Sequence, residues 1–249
     1  MSETPQQTEY FGVARWHAWA PGVGDGPAWK KWIADGDCPE PDAKPDVSYL
    51  PPLLRRRLDR CGRMALATAW PCAEGRESVR FVFGSRHGSL DRTLQLLTAL
   101  AREEALSPTD FSLSVHNSIA GLYSIARGDR AAATALAAGG DTLGMALLEG
   151  AAMIAEGAGV VLVCYADDRV PPPYDSFVEA DSRRHPFSIS LLLTPPEDAA
   201  LRCRLIQDGV GPAELPEAAL MRFLTEGAPT CVLGVDQPWR LSREPVHAG

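Results

Sequence analysis

A layered α/β domain is predicted by three features of the sequence. Val79-Arg-Phe-Val-Phe83 is short and β-prone, and it ends in a tight turn of small residues, Gly84-Ser-Arg-His-Gly88. Leu90, Leu94, Leu97 and Leu100 then recur at three- and four-residue spacing, the period of an amphipathic helix. Gly159 to Tyr165 is a continuous apolar run of strand length, as expected for a strand covered on both faces. Between these strands the chain carries little charge, so helices there can pack onto the sheet.

From the beginning, Gly12 to Ala20 alternates enough to be a strand, Pro21 to Gly26 is a loop, and Ala28 to Ile33 starts a helix. Trp16, Trp19, Trp29 and Trp32 are read as large side chains closing one end of the core rather than as a stacking surface for a ligand. Asp35 to Pro52, rich in Pro, Asp and Gly, is an irregular connection. The one basic cluster, Arg55, Arg56, Arg57, Arg60 and Arg63, leads into a helix over Cys61 to Ala69. After the leucine helix, Leu106 to Ser112 reads as a break, and the His116-Asn117-Ser118 run opens a second helix of small residues. Ala131 to Ala138 reads as a short buried piece, Gly139 to Gly144 as a turn, and Met145 to Ala155 as a third apolar helix. Asp167 to His185 is rich in proline and charge and ends this unit; Val170 to Tyr174 is non-helical. Pro186 to Thr194 is a clean strand, Pro216 to Leu224 a helix with proline at its first position, and Thr230 to Gly234 a short apolar segment. Trp239 is placed as a side chain tucking the tail onto the core.

With 249 residues, 45% apolar and 22% charged, the chain has the composition of a globular protein with a sizeable core. A net charge of −8 opposes nucleic-acid binding, and equally opposes an acidic partner except at a local basic patch. Met1 to Glu9 is polar with no apolar core segment, and no apolar run approaches the roughly 18 residues of a membrane span, so a cytoplasmic protein with no membrane contact is expected. The six cysteines are scattered without close pairing and read as reduced thiols; no metal site and no cofactor are expected.

Phe83-Gly-Ser-Arg-His-Gly88, Ser107-Pro-Thr-Asp-Phe111, Ser114-Val-His-Asn-Ser-Ile-Ala-Gly121 and Ala138-Gly-Gly-Asp-Thr142 followed by Ala146-Leu-Leu-Glu149 resemble the N-terminal half of β-ketoacyl synthases, over Phe11 to Ser190. More specifically, the chain resembles the short β-ketoacyl synthase-like proteins of aryl polyene and fatty-acid-type gene sets. The resemblance implies a thiolase-like fold, with the ketosynthase-like unit over 11–190 and a short extension over 191–249 packed on it. In the family a cysteine nucleophile sits at a strand-to-helix elbow, where the helix N-terminus lowers its pKa and backbone amides hold the oxyanion. Here that position falls on Gly140, or at the margin Asp141, and neither forms a thioester. The His-Gly-Thr and Asn-His-x-Phe-Gly runs that supply the family's two histidines are also missing after Pro186.

A pseudo-enzyme is therefore expected: a chain-length-factor-like subunit that pairs with a full-length β-ketoacyl-ACP synthase and shapes its acyl tunnel, in aryl polyene or related fatty-acid or polyketide synthesis. Ser114, His116, Asn117, Ser118, Gly121 and Tyr123 are the expected tunnel and interface residues. The arginine cluster is either a dock for an acyl carrier protein or a solvated helix face with internal ion pairs. His116 and Asn117 are read as capping a helix and bonding buried backbone rather than as a base. Alternatives are a stand-alone acyl- or carrier-binding protein, homodimeric when alone, or a serine-dependent hydrolase using Ser85 beside His87, although no Gly-x-Ser-x-Gly elbow is present.

Overall fold

The computed structural model describes residues 8–24, 26–36, 38–177, 186–207, 211–212 and 214–245. Its centre is an eight-stranded mixed sheet. The strands are β1 (Thr8–Trp19), β2 (Arg80–Gly84), β3 (Ala133–Leu136), β4 (Val161–Asp167), β5 (Phe187–Thr194), β6 (Leu201–Gln207), β7 (Thr230–Leu233) and β8 (Trp239–Glu244). They lie in the order β3-β2-β4-β5-β1-β6-β8-β7. β3, β2 and β4 are parallel, and every other neighbouring pair is antiparallel.

β4 and β5 are buried at every position, which explains why both read as unbroken apolar runs rather than alternating ones. Helices cover both faces. On one face α7 (Thr142–Ala155), α1 (Gly26–Asp35) and α8 (Pro216–Glu226) share a core with Val161, Val163, Leu191 and Leu193. On the other, α3 (Arg60–Cys72), preceded by the single-turn α2 (Pro52–Arg55), and α6 (Ser118–Arg127) enclose Phe81, Leu162, Cys164 and Leu192. The tryptophans of α1 close an end of the first core: Trp32 stacks on Phe187 at 4.9 Å and meets Trp29 edge-on at 5.5 Å.

Ser188 and Ser190 put two hydroxyls into the fully buried β5. Thr68 of α3 satisfies both, its Oγ1 lying 2.9 Å from each serine oxygen, so this polar seam is internally paired rather than a cost. All six cysteines are buried and none is in a disulfide. Among the described residues no group of three or more His, Cys, Asp or Glu could hold a metal ion, and no helix is long and apolar enough to cross a membrane.

Several expectations change. Val170 to Tyr174 is not free of helix: a 3-10 helix runs over Pro172–Phe177, opening on prolines, which need no backbone donor in a first turn. The third apolar helix starts at Thr142 rather than Met145, so the turn ahead of it is shorter than Gly139 to Gly144. Leu106 to Ser112 is not only a break: α5 (Pro108–Ser114) starts there, because Ser107 Oγ accepts from Asp110 N and Pro108 occupies a first-turn position that needs no donor. Ala131 to Ala138 holds the edge strand β3, whose Ala133 is exposed and whose other residues are half-buried. The helix after the basic cluster is longer than Cys61 to Ala69, because the Asp59 carboxylate caps it one residue earlier. Finally, β6 and β8 extend the sheet where only a tucked tryptophan was expected; Trp239 is buried as the first residue of β8.

Two helices stand apart from the core. α4 (Leu90–Ala101) and α5 contribute no buried residue, despite the leucine stripe on α4. Leu97 is 48% exposed, Leu100 59%, Phe111 63% and Ile125 of the adjacent α6 63%. They lie in the part of the chain that leads to β3, which among the described residues pairs only with β2 and is one of the two end strands of the sheet, as β7 is at the other end.

Candidate functional site

The strand-to-helix elbow before α7 holds Gly140 and Asp141, the expected nucleophile position. β3 ends at Leu136, a short turn over Gly139–Asp141 follows, and α7 begins at Thr142. Thr142 Oγ1 fastens the turn by accepting from Ala138 N at 2.9 Å and donating to Gly139 O at 2.8 Å. An open elbow of this shape would present backbone N–H groups to an oxyanion.

Here the elbow is filled. The turn between β7 and β8 folds over it, and the Asp141 carboxylate accepts from the backbone N–H groups of Val235, Asp236 and Gln237 at 2.5, 2.9 and 3.1 Å. The approach depends on two residues without side chains. Gly234, at φ +96°, lies where a Cβ would come within 2.7 Å of the Asp141 carboxylate. A Cβ on Gly140 would come within 2.9 Å of Val235 Cγ2. Asp141 is therefore a buried clamp, and the space over Gly140 belongs to Val235.

The expected tunnel and interface residues form one contiguous stretch but point different ways. Tyr123 is buried and stacks on Phe81 at 4.3 Å. Ser114 Oγ donates to Phe111 O and Ser118 Oγ to Leu113 O, so both hydroxyls serve local backbone. His116 Nε2 donates to the Ser85 carbonyl at 2.8 Å, the buried-backbone role expected of it. Asn117 occupies the N-cap position of α6 without a side-chain capping bond, and Gly121 is exposed. Phe111, Val115 and Ile125 are the large apolar residues open to solvent in this stretch. They come from α5, its C-cap and α6 rather than from one helical stripe, so no sequence period marks them as a group.

The arginine cluster divides in the same manner. Arg63 donates to Arg55 O at 3.0 Å, and Arg60 donates to Pro41 O and lies 3.7 Å from Asp168. Arg55 is half-buried, whereas Arg56 and Arg57 are exposed. Beyond Arg60 lies a cleft of about 540 Å³ in which Arg60, Arg92 and Arg169 face Asp42, Asp91 and Asp168. Arg169 pairs with Asp42 and Arg92 with Asp110, so these cations are already matched. Burial pushes the carboxyls of Asp91 and Asp168 up from their usual range; Arg60 opposes this at both.

Ser85 has no exposed surface. Its hydroxyl donates to Asp167 Oδ1 at 2.8 Å and accepts from Gly88 N at 2.9 Å, which commits it to the β2–α4 turn. His87 beside it is exposed, and burial of its ring edge with the Arg86 charge holds it below the ordinary imidazole value, against the pull of Asp167.

One chain of the ketosynthase (ApeO) in complex with its chain length factor (ApeC) from Xenorhabdus doucetiae is similar to this protein. They share 29% identity over 94% of this chain and 99% of that one, with a TM-score of 0.79. The ishigamide ketosynthase/chain length factor is similar at 17% identity, covering 88% and 74%, with a TM-score of 0.60. A third similar structure is the type II PKS acyl-carrier protein AntDE:AntF in complex with its ketosynthase bound to the hexaketide, at 17% identity, 77% and 64% coverage and a TM-score of 0.57. The latter two bear on fold alone. No curated protein matches the chain. The mixed sheet between helical layers is thus the thiolase-like fold of ketosynthases. Residues 29–221, well over half of the chain, match the β-ketoacyl synthase N-terminal domain, and the protein belongs to that family.

Proposed function

We propose that this ketosynthase-like subunit is non-catalytic and acts as a chain-length-factor-like partner of a full-length β-ketoacyl-ACP synthase, in aryl polyene or related fatty-acid or polyketide synthesis. The observation that carries the reading is the filled elbow. At the position where a ketosynthase needs a thiolate there is Gly140, covered by Val235, and beside it Asp141 is committed to three backbone amides. The likeness to a chain of a ketosynthase/chain length factor complex supports the pairing.

A second support is the surface that the fold leaves uncovered. α4, α5 and α6 present Leu97, Leu100, Phe111 and Ile125 to solvent. Among the described residues β3 has a free edge, and an unpaired edge beside apolar side chains is a surface for another chain. In the complex the stretch from Ser114 to Tyr123 borders the partner's acyl tunnel and limits how far the acyl chain extends. An acyl carrier protein would meet Arg56 and Arg57, the members of the arginine cluster left exposed.

The test is the solution mass of the chain alone and coexpressed with the ketosynthase encoded beside it. A stable one-to-one complex is expected; a well-behaved monomer or homodimer that ignores the ketosynthase would sink the reading. Restoring the nucleophile is not expected to restore chemistry. Gly140→Cys should lower stability by about 1–3 kcal/mol through overpacking against Val235. Its thiol should stay unmodified by iodoacetamide in the folded protein, as intact-mass spectrometry would show, and rapid alkylation would mean that the elbow is open.

A further inference from the structure

A chain of hydrogen bonds crosses the fold from the α5–α6 junction to α8. His116 Nε2 donates to Ser85 O, and the Ser85 hydroxyl donates to Asp167 Oδ1. Arg86 N donates to that same Oδ1 at 2.8 Å. The other oxygen, Asp167 Oδ2, lies 2.7 Å from the Tyr165 hydroxyl, and that hydroxyl lies 2.8 Å from Glu217 Oε1. Asp167, Tyr165 and Glu217 are all buried.

A phenol has one proton to give. Two carboxyl oxygens at hydrogen-bond distance from one hydroxyl need two protons between the three groups, so the second sits on a carboxyl. Two donors already occupy Asp167 Oδ1, so a proton on Asp167 sits on Oδ2. Glu217 is the second residue of α8, beside the partial positive charge of the helix N-terminus. We propose that Asp167 is a standing carboxylic acid at neutral pH, donating to Tyr165, which donates to the Glu217 carboxylate, so that α8 is fastened to β4 by a proton-dependent latch.

The surroundings agree. Burial raises Asp167 above the usual carboxylate range, against its hydrogen bonding with Tyr165, Ser85 and the Arg86 amide and the charge of His87. Among the described residues the other groups facing it are the Cys61 thiol from α3, itself raised by burial and by Asp59 and Asp167, and His87 with Arg86 from the β2–α4 turn. His87 is lowered and is therefore neutral on the alkaline side.

A carboxyl raised on folding binds its proton more tightly in the native than in the unfolded chain. Its contribution is complete below the ordinary carboxylate value, about 4, and is lost as pH rises through the raised value. The experiment is infrared spectroscopy of the full chain near pH 7, with thermal midpoints followed from about pH 5 to about pH 9. The wild type is expected to show a protonated-carboxyl C=O band that disappears over the interval in which its midpoint falls. Asp167→Asn should lack the band and lose the pH dependence, since its amide donates to Tyr165 at any pH; Glu217→Gln should keep the band. No band in the wild type, a band that survives Asp167→Asn, or a band unchanged while the midpoint falls would each overturn the latch. The first and third of these readings need no variant to fold.

Discussion

Asp141→Ala is expected to lower the unfolding free energy by on the order of 3 kcal/mol, measured by urea denaturation. The carboxylate accepts from three consecutive backbone N–H groups, 94 to 96 residues away in the chain. Removing it leaves those donors, in a turn held against α7, without their acceptor, and hydrogen bonds to a charged group are the stronger class. The turn cannot move away without undoing its neighbours. Gly234 already holds a left-handed backbone, and Leu233 and Trp239 on either side of the turn are buried in the core. Asp141→Asn should recover part of the loss, because the amide oxygen still accepts while its NH₂ faces donors. A loss below about 1 kcal/mol would mean that the turn is held by β7–β8 pairing and core burial alone.

That clamp shows where sequence reading stops. That neither Gly140 nor Asp141 can act as a thiolate is legible, because thiolate chemistry depends on residue type. What lies against Gly140 is not legible, since Val235 arrives from the far end of the chain and nothing in Leu233-Gly-Val-Asp236 names Asp141 as its partner. The strands β4 and β5 are easy to read because burial on both faces leaves a continuous apolar run. β6 is harder: Leu201-Arg-Cys-Arg-Leu205 alternates with the period of a strand, but its arginines mask the apolar face. The segment with α5 reads as a break because proline ends one helix and starts another equally well.

The arginine cluster and the leucine helix are ambiguous for a common reason. Composition shows that a residue is charged or apolar, while its partner is fixed only in three dimensions. The sequence leaves the arginines as either a dock or a face with internal ion pairs, and in the fold Arg60 and Arg63 are engaged by Pro41, Asp168 and Arg55. Leu97 and Leu100 look like core residues and are about half exposed. Exposure of this kind is a cost in an isolated chain, and it becomes informative because much of it is concentrated on α4, α5 and α6, of which α6 packs against β3.

If that surface receives the ketosynthase, Phe111→Asp combined with Ile125→Asp should abolish the complex while the isolated chain keeps its stability. Both side chains are 63% exposed, so replacing them removes little buried area from the monomer and leaves its thermal midpoint within a few degrees. At an interface the same residues become large apolar anchors, and a carboxylate in their place would be desolvated without a partner. Losses of about 2 kcal/mol or more at each anchor are typical, so together the two changes weaken association by about a thousandfold. Coexpression followed by size-exclusion chromatography with light scattering reads the result directly. Separate elution of a folded double variant is the expected outcome. An intact complex would place the partner on another surface, and the open edge of β3 would then need a different occupant.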